Sequence, residues 1–212
     1  MHKRLSDDKL NALIEAGIQE FATNGYGGAR LSAIAARAGI SVGVIYKYYA
    51  DKETLFLACV RYSLQALTDA LMDVAGKSDD VFESLRSVVR TLISHAKEHQ
   101  EINRMYHEIT GVGASHFSAM LSKEVEEISA MVYTDLIRKA QEMGMCRTDA
   151  DPALFAFFFD SLFMMVQFSY SCEYYQRRLE LYCGKDIFRD DEKMEEELMK
   201  FLSGALGLKQ QA

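Results

Sequence analysis

The chain has 212 residues, of which 49% are hydrophobic and 26% charged, so its composition excludes a disordered protein and suits one large domain or a small domain joined to a larger one. A single proline favours an all-helical fold, because proline interrupts helices whereas β-sandwiches use it freely in turns. The formal charge of −7 is uneven: residues 1–60 hold seven Lys and Arg against six Asp and Glu, leaving 17 basic and 25 acidic residues afterwards. A polyanion could therefore approach the first segment but hardly the second.

The N-terminal segment Met1–Lys9 is basic at its start but has no apolar stretch behind it, which argues against a secretory signal. The four cysteines, Cys59, Cys146, Cys172 and Cys183, form no Cys-x-x-Cys pair. This spacing fits neither a disulfide framework nor a zinc knuckle, and we expect reduced thiols in the cytoplasm.

The first predicted helix carries a helical stripe of apolar positions at Leu10, Leu13, Ile14, Gly17, Ile18 and Phe21. Ser6 is expected to cap this helix, and Asn24-Gly25 to end it. Further helices are predicted over residues 31–38, about 41–49, and from a cap at Asp51 to Gly76.

The rest of the chain is also predicted to be helical. Its predicted helices cover about residues 80–100, 101–111, 116–143, 151–182 and 190–206. Asp151-Pro152 is a strong start signal, because an acid precedes a proline at the first helical position. Since no alternating strand pattern of any length occurs, we predict an all-α fold.

Residues 31–49 have the spacing of two helices joined by a tight turn. The small Ala35 permits close approach of the helices, and Gly39 can adopt the positive φ that a sharp turn requires. This spacing fits a helix-turn-helix unit, in which the second helix enters the DNA major groove, although an ordinary helical hairpin has it too. Val42, Val44 and Tyr46 favour DNA binding, because they make a poor solvent surface but suit thymine methyl groups and sugar edges.

The quoted motifs add a specific resemblance. The segments "FATNGYGG", "IAARAGISVGVIYKYY" and "DKETLF" have the order and spacing of the DNA-binding domain of the tetracycline-repressor (TetR) family, over about residues 9–60. The resemblance implies an N-terminal three-helix helix-turn-helix DNA-binding domain at residues 1–60. It also implies a larger helical ligand-binding and dimerisation domain at residues 61–212.

The resemblance also implies DNA-contacting residues. These are Arg30 and Ser32 on phosphate, Val42, Gly43 and Val44 on the base-reading edge, Tyr46 and Lys47 on the third helix, and Lys52 as a phosphate-contacting lysine. Val42 replaces a frequent lysine, Val44 a frequent threonine, and Ala29 a frequent capping threonine. Because each change removes a polar contact, we expect sparse base hydrogen bonding and a contribution from DNA shape.

The second domain contains an almost wholly apolar helix, which we expect to be buried between the core and a dimer partner. A membrane span is the alternative for Ala153–Tyr170, but Asp160 and Gln167 interrupt it. The candidate ligand-binding residues are polar groups among apolar ones: Tyr106, His107, Asp160, Gln167, Ser171 and Tyr174. Each of them could equally be a satisfied core or interface residue.

These patterns favour a ligand-responsive transcriptional repressor that binds a palindromic operator as a homodimer and is released by a small, mostly apolar molecule. An enzyme is disfavoured because the sequence has no nucleophile elbow, phosphate loop or His-Glu-x-x-His motif, and no cofactor is predicted. A helical protein-interaction module and a metal- or redox-sensing regulator remain alternatives. His95 and His99 have metal-compatible spacing, but "SHAKEHQE" reads as a solvated face, and no metal site is predicted.

Overall fold

The computed structural model describes residues 5–75, 80–110 and 117–208, and every regular element within these ranges is helical. The predicted all-α fold is therefore confirmed. The α-helices are α1 (Asp7–Gly28), α2 (Leu31–Arg37), α3 (Val42–Tyr48), α4 (Lys52–Ala75), α5 (Val81–Glu98), α6 (Gln100–Thr110), α7 (Ser118–Glu142), α8 (Pro152–Ser171), α9 (Glu173–Cys183) and α10 (Asp191–Leu206). A 3-10 turn, Lys185–Arg189, precedes α10. The predicted end of α4 at Gly76 lies outside the described residues.

Helix α1 is interrupted where the sequence predicts its end. Gly25 has φ 66°, ψ 169°, and the chain then continues through Gly28. Ser6 occupies the cap position, but its side chain makes no capping hydrogen bond, so the start of α1 relies on Asp7 and Asp8 at the positive end of the helix dipole.

The turn between α2 and α3 is built by Gly39. Its φ of 65° is the left-handed conformation that a residue with a Cβ rarely adopts. The Ile40 amide donates to the Ala35 carbonyl at 3.0 Å, and the Gly39 amide donates to the Ala36 carbonyl at 3.3 Å. This pair of hydrogen bonds is a Schellman motif, which ends α2 and directs the chain into α3.

The chain divides into two compact units. Unit 1 comprises Met1–Ala66 with Glu101–Ala119, and unit 2 comprises Leu67–Gln100 with Met120–Ala212. These units differ from the domains predicted at residues 1–60 and 61–212, because nearly all of α6 belongs with the helix-turn-helix unit. The reason is packing: Glu108 of α6 and Phe117 contact residues of α1 and α4.

The prediction of one helix over residues 151–182 is wrong, although its start is confirmed. The Asp151 carboxylate accepts hydrogen bonds from the amides of Ala153 and Leu154 at 2.9 Å. At Cys172 the backbone becomes extended, with φ −110° and ψ 127°, and this separates α8 from α9. The side chain of Gln176 donates to the Tyr170 carbonyl at 2.9 Å, so it satisfies one of the acceptors left free at the end of α8.

Unit 2 has its own hydrophobic core, formed mainly by α5, α7, α8 and α10. An ion-pair cluster joins α5 to α10: the nearly buried Glu195 accepts from Arg86 at 2.9 Å and from Arg90 at 2.6 Å. Pairing with two cations offsets the cost of removing this carboxylate from water. Lys97 and Asp191 make a second, more exposed pair across the same two helices at 2.7 Å.

Candidate nucleic-acid interface

Helix α3 is held to unit 1 by one side and presents the other side outward. Ile45 is fully buried, together with Ile34 of α2, which fixes the orientation of the short helix. Tyr46 is 55% exposed and Lys47 is exposed, whereas Val44 is half-buried. The outward edge is therefore apolar with one cation, as a surface that contacts base edges and phosphates requires.

Gly43 lies within α3, and nothing in the fold requires a glycine there. A Cβ built at this position would meet only Ser41 Oγ, at 3.8 Å, and its φ is not in the left-handed region. Glycine inside a helix costs about 1 kcal/mol relative to alanine. A close approach of another molecule to the backbone would explain its presence.

The start of α2 is fixed by a residue that the sequence analysis missed. The buried carboxylate of Glu20, on α1, accepts a hydrogen bond from the Arg30 amide at 3.1 Å. Arg30 occupies the cap position of α2, and both its side chain and that of Ser32 are exposed, as a role on phosphate requires. Glu20 thus satisfies the amide of the cap residue itself, and Ala29, one residue earlier, is not at the cap position where a capping threonine was expected.

The ammonium group of Lys52 is already hydrogen-bonded within the protein, unlike that of a free phosphate-binding lysine. Its Nζ donates to the carbonyls of Tyr26, Gly27 and Ala29, at 2.7, 3.4 and 3.3 Å. It also lies 4.8 Å from the centroid of the Tyr26 ring. Because an ammonium group has three donors, this arrangement uses all of them to hold the loop between α1 and α2. A contact from Lys52 to phosphate would require one of these bonds to break.

Helix α6 holds the same loop from another direction. Glu108 Oε1 accepts from the Tyr26 amide at 3.1 Å, and a Cβ on Gly25 would lie only 2.9 Å from that oxygen. The Tyr26 ring meets Phe117 edge-on at 5.1 Å, and Phe56 lies 5.4 Å from Phe117. The end of α1 is therefore fixed jointly by α4, α6 and Phe117.

The six residues predicted to bind a ligand do not share one unit. Tyr106 and His107 are half-buried on α6 in unit 1, whereas Asp160, Gln167, Ser171 and Tyr174 belong to unit 2. Tyr174 is 74% exposed on α9, because the break at Cys172 removes it from the stripe of Asp160 and Gln167. Ser171 is buried, and its single hydroxyl hydrogen is shared between the Ala96 and Gln167 carbonyls, at 3.3 and 3.1 Å.

Asp160 and Gln167 remain candidates from α8. Burial, and then the charge of Glu126, raise the pKa of Asp160 to about 6. Gln167 is 6% exposed; its amide nitrogen donates to the Phe163 carbonyl at 3.4 Å, but its Oε1 has no hydrogen-bond partner among the described residues.

The prediction that His95 lies on a solvated face is wrong. His95 is only 7% exposed, and within the described part of the chain neither ring nitrogen has a hydrogen-bond partner. Burial, followed by the nearby His99, lowers the pKa of His95 to about 4, so its ring is neutral near neutral pH. A sequence pattern could have indicated this burial. Val81, Val88 and His95 are spaced seven residues apart and therefore share one face of α5.

A small apolar cavity lies between α5, α7 and α8. Its volume is about 10 Å³, room for roughly one water molecule. Its walls are Val81, Leu85, Val88, Tyr133, Leu136, Ile137, Ala140, Phe159, Phe163 and Leu206. A larger guest in this place would have to displace these side chains.

The N-terminal half of α8 leaves an apolar face uncovered. Leu154, Phe157 and Phe158 are each 56–63% exposed, and Phe201 of α10 is 63% exposed. Helix α8 is long and apolar enough to cross a membrane, with a mean hydropathy of 1.4, but a core helix of a soluble protein passes the same test. Exposed apolar patches of this kind mark interaction surfaces.

The thiols and histidines give little support to a redox or metal sensor. Cys59, Cys146 and Cys172 are buried, and burial raises the pKa of the first two, which disfavours the reactive thiolate. In the described ranges, no group of three or more His, Cys, Asp and Glu side chains could hold a metal ion.

Comparison with known proteins agrees with this geometry. Residues 13–59 match the family model described as "Bacterial regulatory proteins, tetR family". Over 155 residues the chain is 30% identical to the HTH-type transcriptional repressor SCO4008 of Streptomyces coelicolor, covering 73% of this chain and 72% of that protein. It is 25% identical over 133 residues to the HTH-type transcriptional activator FasR of Mycolicibacterium smegmatis, covering 63% of this chain and 60% of that protein.

The fold also agrees with that of solved structures. The structure of the fatty acid degradation regulator FadR from Bacillus halodurans matches with a TM-score of 0.70 at 20% identity, over 93% of this chain and 97% of that one. At this identity the match concerns the fold alone.

Proposed function

The chain belongs to the tetR family of bacterial regulatory proteins, and on that premise we propose that it is a cytoplasmic, effector-responsive repressor that binds a palindromic operator as a homodimer. The observation that carries the proposal is the construction of α3. Buried Ile45 anchors the helix, while its outward edge combines apolar side chains, one lysine and a glycine that the fold does not need.

In the proposed complex α3 lies in the major groove. Val42 and Val44 contact thymine methyl groups, and Gly43 allows the helix backbone to approach the bases. Tyr46 and Lys47 contact phosphate, as do Arg30 and Ser32 at the start of α2. Lys52 acts indirectly, by holding the α1–α2 loop that sets the position of α2.

The test is DNA binding measured at several salt concentrations. A library of DNA sequences is selected against the protein, and affinity for the selected sequence is measured for wild type, Lys47→Ala and Lys139→Ala. Lys139 is an exposed lysine on α7 and serves as the matched control. Lys47→Ala should reduce the slope of log affinity against log salt by about one, and Lys139→Ala should leave it unchanged.

Two results would reject the DNA-binding proposal. One is the absence of any selected sequence, and the other is an unchanged salt slope in Lys47→Ala. A protein-interaction module would give the first result, because its α3 surface would serve a protein partner.

Dimerisation is proposed to occur through α8 and α10. The exposed Leu154, Phe157, Phe158 and Phe201 form the apolar surface that a second copy would cover. Phe157→Lys should give monomers in sedimentation at micromolar concentration and weaken operator binding. A wild-type protein that sediments as a monomer under these conditions would exclude this interface.

The effector is proposed to act by favouring a conformation that fits the operator poorly. A ligand can shift this equilibrium only by its difference in affinity between the two conformations. Glu108 offers a route within unit 1, because any displacement of α6 moves the acceptor of the Tyr26 amide. The relatives include a repressor and an activator, and release of DNA by the effector is the outcome we propose.

A further inference from the structure

Within the described residues, five side chains of unit 2 have buried polar atoms without a hydrogen-bond partner: Arg86, His95, Gln167, Tyr170 and Ser203. Two of them are His95, through Nδ1 and Nε2, and Gln167, through Oε1. Both side chains are more than nine-tenths buried, at 7% and 6% exposed. Because an unpaired buried polar atom loses its hydrogen bonds to water without replacement, each such atom in a native protein needs an explanation.

The two residues lie on helices that run parallel and in register. Val88 of α5 and Phe163 of α8 line the same cavity. Further along, Ser171 Oγ of α8 donates to the Ala96 carbonyl of α5 at 3.3 Å. Because eight residues separate Val88 from Ala96 and also Phe163 from Ser171, α5 and α8 advance together between these two levels.

In this register Tyr170 of α8, whose buried hydroxyl is also unpaired within the described residues, is level with His95, and His95 and Gln167 lie at neighbouring levels. Their levels differ by three residues, about 4.5 Å along the helix axes. His95 continues the face of α5 that carries Val81 and Val88, and Gln167 follows Phe163 by one turn of α8. The apolar stripe that lines the cavity therefore ends, on both helices, in a polar group.

We propose that His95 and Gln167 hold the polar head of the effector, and that this head is an uncharged hydroxyl or amide on an otherwise apolar molecule. The inference rests on the proposed function, because it names the chemical class of the effector. The apolar body lies along the stripe between α5, α7 and α8. Because the cavity there is nearly closed, binding displaces side chains and selects a different conformation, as a regulator requires.

The donors and acceptors determine the class of head. Gln167 Oε1 only accepts, while a neutral imidazole donates through one nitrogen and accepts through the other. A hydroxyl or a primary amide supplies both a donor and an acceptor. A carboxylate would face Gln167 Oε1 without a cation, and an ammonium group would lack an anion, since Asp160 lies two turns away, about 10 Å along α8.

The test uses four probes that share one apolar chain and differ in the head: n-decanol, decanamide, decanoate and decylamine. Binding to the full chain is measured by titration calorimetry without DNA. We expect n-decanol and decanamide to bind at least about tenfold more tightly than decanoate and decylamine, because burying an unpaired charge is costly.

Matched variants locate the head. His95→Leu and Gln167→Leu should each weaken n-decanol binding by about fivefold, which corresponds to one lost hydrogen bond. Ser94→Leu is the control, because it places a leucine at the neighbouring position of α5, where the side chain is exposed. Gln167→Glu should reverse the preference in favour of decylamine, because it supplies the missing anion.

Four results would overturn the inference. The first is saturable binding without a preference for uncharged heads, and the second is unchanged n-decanol binding in both leucine variants. The third is no saturable binding of any probe, in which case the orphan atoms have another explanation, such as buried water. The fourth is tight decylamine binding that is lost in Asp160→Asn, which would place the head at Asp160 instead. In each case, operator binding by the wild-type protein, measured separately, would still support the proposed function.

Discussion

The two units differ at one set of polar side chains. In unit 1, Glu20 and Glu108 accept backbone amides and Lys52 donates to three backbone carbonyls, so these side chains hold residues 26–30 at the junction of α1 and α2. In unit 2, the buried polar atoms of His95 and Gln167 have no partner within the described residues.

Under the proposed function, this difference has a physical reason in each unit. A surface that docks on DNA benefits from a backbone fixed before binding, because ordering it afterwards would reduce affinity. A site that takes a small molecule benefits from groups whose hydrogen bonds are completed only by the guest, because such a site then discriminates strongly against molecules lacking them. The comparison predicts opposite signs for substitutions in the two units.

The largest effect is expected at Lys52. Lys52→Met keeps the side-chain stem but removes the ammonium group, leaving three carbonyls without their donor, and should lower the free energy of unfolding by about 2 kcal/mol. Lys47→Met, at an exposed position, should change it little. Urea unfolding checks both variants. If Lys52→Met lowered the salt slope of DNA binding by one and left stability intact, Lys52 would be a phosphate contact after all.

The next effect is expected at Glu108. Glu108→Ala should lower the free energy of unfolding by about 1 kcal/mol, because the Tyr26 amide loses its acceptor. Glu108→Gln should cost much less, because the amide oxygen of glutamine can still accept this hydrogen bond. Equal costs for the two variants, measured by urea unfolding, would show that charge rather than hydrogen bonding matters here.

In unit 2 the sign should reverse. His95→Leu should raise the free energy of unfolding by about 1 kcal/mol near neutral pH, because it removes an unpaired polar group while filling the space. If His95→Leu lowered the free energy of unfolding, the predicted difference in sign between the two units would be wrong.

The same variant should change the pH dependence of stability. The pKa of His95 in the folded protein, about 4, is below its unfolded value, so the unfolded chain takes up its proton first. Wild-type stability should therefore fall as pH drops from about 6.5 to 4, and His95→Leu should remove that part of the fall. Thermal unfolding across this range checks it, with Ser94→Leu, an exposed neighbour that does not titrate, as the control.

The smallest effect on stability is expected at Gly43. Gly43→Ala should raise the free energy of unfolding by up to about 1 kcal/mol, yet weaken operator binding roughly tenfold, because the new methyl group would meet the DNA rather than the protein. Gly204→Ala is the control, since a Cβ there meets nothing within 4 Å among the described residues. It should stabilise α10 without affecting DNA binding. Unchanged operator affinity in Gly43→Ala would place this edge of α3 away from the bases.

Much of the framework could be predicted from the sequence, because its signals act within one or two helical turns. The break of α1 at Gly25, the turn at Gly39 and the cap at Asp151 all depend on the φ preference or the side chain of a single residue. Their structural outcome follows from local sterics and local hydrogen bonds.

The break at Cys172 could not be predicted in the same way. The apolar run continues through it, and no glycine or proline marks it. The extended backbone there is stabilised in part by Gln176, whose side chain donates back to the Tyr170 carbonyl. A continuous apolar pattern says that a helix is buried, but it does not say where a helix of that kind ends.

By itself the sequence determined that the fold is all-helical and which edge of α3 faces outward, because propensity, periodicity and turn chemistry are local properties. It also carried the resemblance that implied a helix-turn-helix unit. Only the tertiary structure decided that α6 packs with unit 1, that Lys52 is bound by three carbonyls, and that His95 is buried. These outcomes depend on contacts between residues far apart in the chain, and the burial and pairing of a charged or polar side chain are set by the elements that surround it.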